Sequence, residues 1–293
     1  STMSTTIKIA KPVNANKVAT TQPSEEDAVL ASKYQQKTDK QHILDNPDTY
    51  VGSVENVDAD MWLLDPDNAR IAHTSIEYIP ALYKLFDEGI VNCRDHAIRM
   101  AQACAAKEEG AIPVTNIDIT IADDGTITMY NDGNGIDVAK HPEYDVWIPE
   151  LIFGHLRTST NYDKTEEKIV GGKNGFGFKL VLIWSTHGTV ETVDHKRGLK
   201  YTQAFHDNLN VIDVPVITKC KNKPYTRITF KPDYARLGTD GLCPHMVNLF
   251  KRRIYDVAAM TAREVRVKCN SVNVPVRTFG QYVDLYLAPP VKK

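Results

Sequence analysis

Apolar residues recur at three- and four-residue spacing between Pro80 and about Ala106: Leu82, Leu85, Phe86, Gly89, Ile90, Cys93, Ala97 and Met100. That period predicts a long helix with one buried face, and Pro80 suits its first turn. Glu88 and Asn92 stand four apart on this helix and project from one side, with Asp95 three further on. A polar stripe beside an apolar one is ordinarily a solvated face. Two features weaken that reading here. Asparagine is a poor helix-interior residue, and Gly89 between the two lets something approach the backbone.

Alternation replaces this period at 114–122 and 126–130, where Ile117, Ile119 and Ile121 answer Ile127 and Met129. These predict two strands joined by the hairpin turn Asp123-Asp124-Gly125. The second strand runs into Asn131-Asp132-Gly133-Asn134-Gly135-Ile136. Two alternate glycines among short polar side chains suit a loop that wraps a ligand, or equally a plain turn.

Elsewhere the pattern predicts a short helix from Ala31-Ser32-Lys33-Tyr34 to Leu44, stopped by Asn46-Pro47-Asp48. Strands are predicted at 50–54, 61–64 and 69–73. A short helix follows at 149–154, then the hydroxyl-rich loop 158–163, which taken singly reads as a solvated linker. Later come strands at 189–194, 199–206, 211–216, 226–230 and 265–269, and helices at 248–260 and 281–287. Strands and helices mix without regular βαβ alternation, which predicts an α+β layered sandwich rather than a doubly wound sheet.

The most concentrated candidate chemistry is Gly171-Gly172-Lys173-Asn174-Gly175-Phe176-Gly177-Phe178-Lys179, followed at once by the apolar run 180–184. Glycine allows backbone amides to approach a ligand, and a helix starting here adds its unbonded N–H groups and positive dipole end. Together these suit an anion such as phosphate. No Gly-Lys-Ser/Thr occurs at Walker A spacing, and the glycines do not read G-x-G-x-x-G after a strand. A glycine-rich turn remains the plain alternative.

Composition adds limits. The 293 residues are 42% hydrophobic and 25% charged, enough for a large core. A net charge of −2 gives no electrostatic case for a dedicated DNA-binding surface, so the clusters Lys251-Arg252-Arg253 and 219–223 read as solvated faces. Five scattered cysteines without a C-x-x-C pair fit a reducing compartment better than a disulfide framework or a zinc site. No signal peptide and no apolar run near 18 residues occurs, so a soluble intracellular protein without membrane partners is expected. The polar first 30 residues read as a flexible tail or arm.

The ordered chain resembles the N-terminal ATPase region of eukaryotic-type DNA topoisomerase II, within the gyrase/Hsp90/histidine-kinase/MutL (GHKL) superfamily. The blocks that carry the resemblance occur in order. They are Tyr34-Gln35-Gln36-Lys37-Thr38 with His42-Ile43-Leu44, Pro47-Asp48-Thr49-Tyr50-Val51-Gly52-Ser53, and Leu82-Tyr83-Lys84-Leu85-Phe86-Asp87-Glu88 with Val91-Asn92. Asn131 to Ile136, Leu151-Ile152-Phe153-Gly154, Thr158-Ser159-Thr160-Asn161-Tyr162-Asp163 and the glycine stretch complete the set. The likeness covers about residues 33–288.

The resemblance implies a two-layer α/β sandwich of the GHKL (Bergerat) type, a mixed sheet with helices on one face, spanning 31–288. Residues 289–293 would begin a linker to a further subdomain, the transducer. It implies ATP and Mg²⁺ as cofactors. Glu88 takes the place of the general base that activates water, and Asn92 that of the Mg²⁺ ligand. Asn131 takes the place of an adenine-reading carboxylate and can accept the same hydrogen bond. Gly133 and Gly135 would let their loop pass close to the base. Ser159, Thr160 and Asn161 match ribose- and phosphate-contacting positions. Gly172, Lys173, Asn174, Gly175, Phe176, Gly177, Phe178 and Lys179 match a lid that wraps the triphosphate. Tyr34 matches an arm residue that reaches the nucleotide of a second subunit.

The implied function is the ATP gate of a type IIA topoisomerase: a homodimer closed by Mg-ATP during DNA strand passage. The implied place is the nucleus in a cell, or the host cell or virion for a viral source. Departures are His96, where cellular relatives usually carry Asn, Phe178 in place of a small lid residue, and Lys173 in place of Arg. They point to a diverged lineage, such as a viral one. The family's γ-phosphate lysine belongs to the transducer and its DNA-cleaving region lies elsewhere. This chain is therefore expected to bind Mg-ATP, hydrolyse it poorly alone, and not relax DNA. A chaperone- or MutL-type clamp and a non-catalytic nucleotide sensor are the rival readings.

Overall fold

The computed structural model describes residues 24–67, 69–156 and 175–287. Ser159, Thr160, Asn161, Gly171, Gly172, Lys173 and Asn174 lie outside the described residues, as do 1–23 of the expected tail and the expected linker 289–293. The side chain of Phe176 falls outside them too. The described residues up to Gln35 belong to one unit and those from Gln36 to a second.

Helix α1 (Glu25–Asp45) begins at Glu25 rather than near Ala31. Its start is capped reciprocally: Asp27 N donates to Ser24 Oγ (3.2 Å) and Ser24 N to Asp27 Oδ2 (3.2 Å). The Ser24-Glu25-Glu26-Asp27 spacing is a capping signal that the tail reading overlooked.

In the larger unit, helix α2 (Pro47–Tyr50) occupies part of the stretch read as a strand at 50–54. The strand propensity of Tyr50, Val51 and Val54 loses to turn chemistry there. Val51 N and Gly52 N both donate to Pro47 O (2.8 and 2.9 Å), and Gly52 takes φ +103°. Ala81 N then donates to Ser53 O (2.9 Å), which ties this turn to the start of helix α3 (Pro80–Ala105). Strands β1 (Val57–Asp65) and β2 (Arg70–Tyr78) form a separate antiparallel hairpin.

The main sheet has the order β11-β10-β3-β4-β9-β5-β6-β7, with β8 also paired to β6. Its strands are β3 (Asn116–Ile121), β4 (Ile127–Asp132), β5 (Ser185–Asp194), β6 (Leu199–His206), β7 (Val211–Ile212), β8 (Val216–Lys219), β9 (Tyr225–Pro232), β10 (Arg266–Cys269) and β11 (Val272–Asn273). The β10–β3 pairing is parallel and the rest are antiparallel, so the sheet is mixed as expected. The single strand expected at 211–216 is instead two short ones, β7 and β8. Pro215 lies between them and has no N–H to give to a ladder.

Helices α4 (Ile148–Gly154), α5 (Gly175–Ile183), α6 (Pro244–Met260) and α7 (Phe279–Leu287) complete the unit. Inward positions of the strands alternate, and Ile117, Ile119, Ile127, Met129, Ile228 and Phe230 join the core with Leu85, Phe86 and Ile90 of α3. Phe86 stacks on Phe250 of α6, centroids 4.2 Å apart, and Arg253 Nε reaches Asp87 Oδ1 at 2.6 Å. These contacts fix the roll of α3 and so decide which side of it faces outward. Among the described residues no helix is long and apolar enough to cross a membrane.

Candidate active site

With its apolar face held by the sheet and α6, α3 presents the row Glu88, Asn92, His96 at steps of four. Asn92 and His96 line a cavity of about 640 Å³ together with Asn131, Gly135, Phe178 and Thr226. A larger cavity of about 760 Å³ lies against the β1–β2 hairpin and the start of α6, but no candidate residue lines it. Asp58, Asp60 and Glu77 in its walls would repel a polyphosphate.

The floor of the first cavity is the end of β4 and the turn after it. Asn131 is buried, and its amide nitrogen donates to the Asp132 carbonyl (2.9 Å). A carbonyl partner fixes the amide orientation, so the oxygen is the end that accepts from a ligand. Asp132 pins the neighbouring strand, with Oδ1 accepting from Thr115 N (2.7 Å) and Asn116 N (2.9 Å). Gly133 adopts φ +81° and packs on Val114. A Cβ at Gly135 would lie 2.1 Å from the Val193 carbonyl oxygen. Protein packing therefore demands these two glycines before any ligand does.

Further bonds tie this loop to β5. Ile136 N donates to Thr192 Oγ1 (3.0 Å) and Val138 N to Asp194 Oδ2 (2.9 Å). Burial raises the Asp194 carboxyl, but the Val138 amide and the Arg197 guanidinium outweigh it and hold it below its ordinary range.

His96 closes the loop from the α3 side. Its Nε2 lies 2.7 Å from the Asn134 carbonyl oxygen and its Nδ1 3.1 Å from Arg99 Nη2. A carbonyl can only accept and a guanidinium can only donate, so the ring is neutral with its proton on Nε2. Burial first, then Arg99, push its pKa down to about 4. The periodicity of α3 placed His96 four residues after Asn92. The sequence reading gave it no role, nor one to Arg99, Asn134 or Thr192.

Glu88 sits one turn before Asn92, half-buried, with Oε1 2.8 Å from Lys84 Nζ. It does not line the cavity itself. Its other oxygen abuts the first turn of α5: a Cβ at Gly177 would fall 2.3 Å from Glu88 Oε2. The glycine stretch thus enters a helix by Gly175, and its fourth glycine, Gly177, is the contact that admits the carboxylate. Phe178, the departure from the expected small residue, is buried against Phe153 (5.6 Å, edge to face) and forms cavity wall. Lys179 is fully buried in the same helix. Tyr34 lies exposed on α1 in the N-terminal unit.

One feature bears on a metal ion. Asn92 carries a buried amide nitrogen with no hydrogen-bond partner. With its nitrogen shut away and bonded to nothing, this side chain is committed to no protein partner, and its oxygen can go to a hard cation without breaking a protein bond. Among the described residues no cluster of three His, Cys, Asp or Glu could hold a metal. That donor set fits a cation taking one protein oxygen and the rest from phosphate and water, the habit of Mg²⁺.

The family model for the histidine kinase-, DNA gyrase B- and HSP90-like ATPases matches residues 78–236. The DNA topoisomerase 2 of Acanthamoeba polyphaga mimivirus is 43% identical over 261 residues, covering 88% of this chain and 20% of that protein. The ATPase region of Saccharomyces cerevisiae topoisomerase II superposes with a TM-score of 0.74 at 38% identity, covering 85% of this chain and 63% of that one. The ATPase and transducer domains of DNA topoisomerase II from Balamuthia mandrillaris give 0.73 at 39%, covering 91% and 64%. This chain spans about a fifth of the length of the curated relatives it matches.

Proposed function

The chain belongs to the histidine kinase-, DNA gyrase B- and HSP90-like ATPase family, and we propose that it is the ATP-hydrolysing gate of a type II DNA topoisomerase. The observation that carries this reading is the convergence on one cavity of Asn92, with an orphaned amide, and Asn131, with its oxygen reserved for a donor. Glu88 stands one turn away against the first turn of α5.

In this reading the adenine amino group donates to Asn131 Oδ1, which sets the base at the floor of the cavity. Asn92 holds the Mg²⁺ that accompanies the nucleotide. When bound, that ion spreads positive charge over the phosphate oxygens. Glu88 takes a proton from the attacking water, and its ion pair with Lys84 leaves Oε2 directed at α5. The first-turn amides of α5 contribute the positive end of a helix dipole on the phosphate side. Ser159, Thr160, Asn161, Gly172, Lys173 and Asn174 are proposed to complete the ribose and phosphate contacts, and Tyr34 to reach the nucleotide of a second copy. ATP binding then closes an intracellular homodimer around DNA in a longer protein.

Glu88→Gln tests the core of this. A water-activating base predicts a turnover loss on the order of 10²–10⁴-fold. ATP binding, measured by calorimetry with a non-hydrolysable analogue and Mg²⁺, should stay within a few-fold of the parent. Retained turnover sinks the assignment.

A further inference from the structure

His96 has both ring nitrogens engaged, one by Arg99 and one by the Asn134 carbonyl. It cannot ligate a cation or accept a substrate proton without giving up one of those bonds. Yet it lines the cavity, four residues from Asn92, and its bond crosses from α3 to the loop that follows Asn131. The same residue, Asn134, accepts from Ile112 N through Oδ1 (2.8 Å), and two residues on Ile136 N is held by Thr192. The turn is thus gripped on three sides: by the segment before β3, by β5, and by the α3 imidazole.

We propose that His96 is a specificity-determining positioning residue. By tying the Asn134 carbonyl to α3 it holds the Asn131 amide in register for an adenine and against a guanine. This deepens the nucleotide reading above and rests on it for the binding result. Adenine offers an amino donor where guanine offers a carbonyl acceptor. An amide oxygen held in place accepts from the first and faces the acceptor of the second. Asn131 is kept from turning its nitrogen outward only while the Asp132 carbonyl stays within reach, 2.9 Å in this structure. Loss of the tether slackens the turn at 133–136 and, through it, the end of β4, so that the Asp132 carbonyl can draw away from the Asn131 amide and discrimination falls.

Arg99 belongs to the same device. Its bond to Nδ1 fixes the proton on Nε2, where the Asn134 carbonyl needs a donor. Among the replacements for histidine, glutamine can place an amide N–H near the position of Nε2, whereas leucine fills space without donating.

The test compares the parent chain with His96→Leu, His96→Gln and Arg99→Met. Affinities for non-hydrolysable ATP and GTP analogues are measured by calorimetry, and amide hydrogen exchange is followed at Ile112 and Ile136. His96→Leu should weaken the ATP analogue about tenfold, the scale of one lost hydrogen bond, with little change for the GTP analogue. Both amides should exchange faster. His96→Gln should return the ATP preference to within about threefold of the parent, and Arg99→Met should fall between. Arg99→Met keeps the question open to measurement even if His96→Leu does not fold.

The proposal is overturned if the two analogues weaken alike, if glutamine gives no rescue, or if exchange at Ile112 and Ile136 is unchanged. A purely structural histidine would give equal losses. If the parent chain binds neither analogue, the nucleotide reading falls and the specificity claim with it. Faster exchange in His96→Leu would still establish the tether itself.

Discussion

The two ends of the α3 polar row are built differently. At the His96 end, the loop 131–136 is braced by hydrogen bonds to α3, to the segment before β3 and to β5, and its glycines leave no room for a methyl group. At the Glu88 end, the carboxylate is held by one ion pair on its own helix and a close approach from Gly177. The first end is preorganised and the second is adjustable. A surface that reads a base gains from rigidity, since looseness costs discrimination. A base that moves a proton needs only to arrive in position when the reacting groups do.

The largest test of that contrast is the same small substitution made at each end. Gly135→Ala sets a Cβ against the Val193 backbone oxygen, and a backbone atom in a sheet cannot swing away. Loss of about 3 kcal/mol of stability is expected, the scale of a forced backbone shift, read by urea denaturation. ATP-analogue affinity should fall by roughly tenfold or more as the Asn131 loop is displaced. If Gly135→Ala is neutral in both, the loop is not the rigid element described here.

Acid separates the ends next. His96 has a folded pKa of about 4 against an ordinary 6.5, so as pH falls the unfolded chain binds its proton first. The stabilisation is therefore complete above pH 6.5 and lost progressively down to about pH 4. Between pH 7 and 5 that amounts to about 2 kcal/mol from this group alone. His96→Gln should lose that part of the pH slope while the rest persists. An unchanged slope in the variant would mean that His96 is not held neutral.

Much of this was legible in the sequence, and the failures have physical causes. The period of α3 and the alternation of β3 and β4 survived because each buries one continuous face. The glycines of the loop were found, but not the packing against Val114 and Val193 that requires them. Residues 50–54 failed because two amides converge on the Pro47 carbonyl, a local turn that β-propensity does not encode. His96 went unassigned because its partner Asn134 lies 38 residues away and meets it only when α3 is rolled by Phe250 and Arg253. Phe178 proved to be cavity wall, which its place in a glycine stretch did not suggest.

At the adjustable end Gly177→Ala provides the counterpart to Gly135→Ala. The added Cβ meets Glu88 Oε2, the far end of a flexible side chain, which can move. Stability should hold or rise slightly, since alanine suits a helix better than glycine by up to about 1 kcal/mol. Turnover should fall about tenfold as the carboxylate is displaced, with analogue binding little changed. A stability loss as large as that of Gly135→Ala would erase the difference between the two ends.

The smallest expected effect is at Lys84. Its ammonium is nearly half exposed, and an i,i+4 pair of this kind contributes only about 0.3–0.5 kcal/mol to stability. Lys84→Met should therefore leave the urea midpoint almost unmoved. Its effect belongs to kinetics. With Oε1 held by Lys84, Oε2 points at the first turn of α5; without the pair, Glu88 samples other rotamers and spends less time aimed there. A fall of about threefold in kcat at saturating ATP is expected, with KM unchanged. Added salt should lower the parent's kcat toward that of the variant, because screening acts on an exposed pair. A rise in kcat would mean that the ion pair restrains the carboxylate rather than aims it, and that the Glu88 end opens for reaction by breaking it.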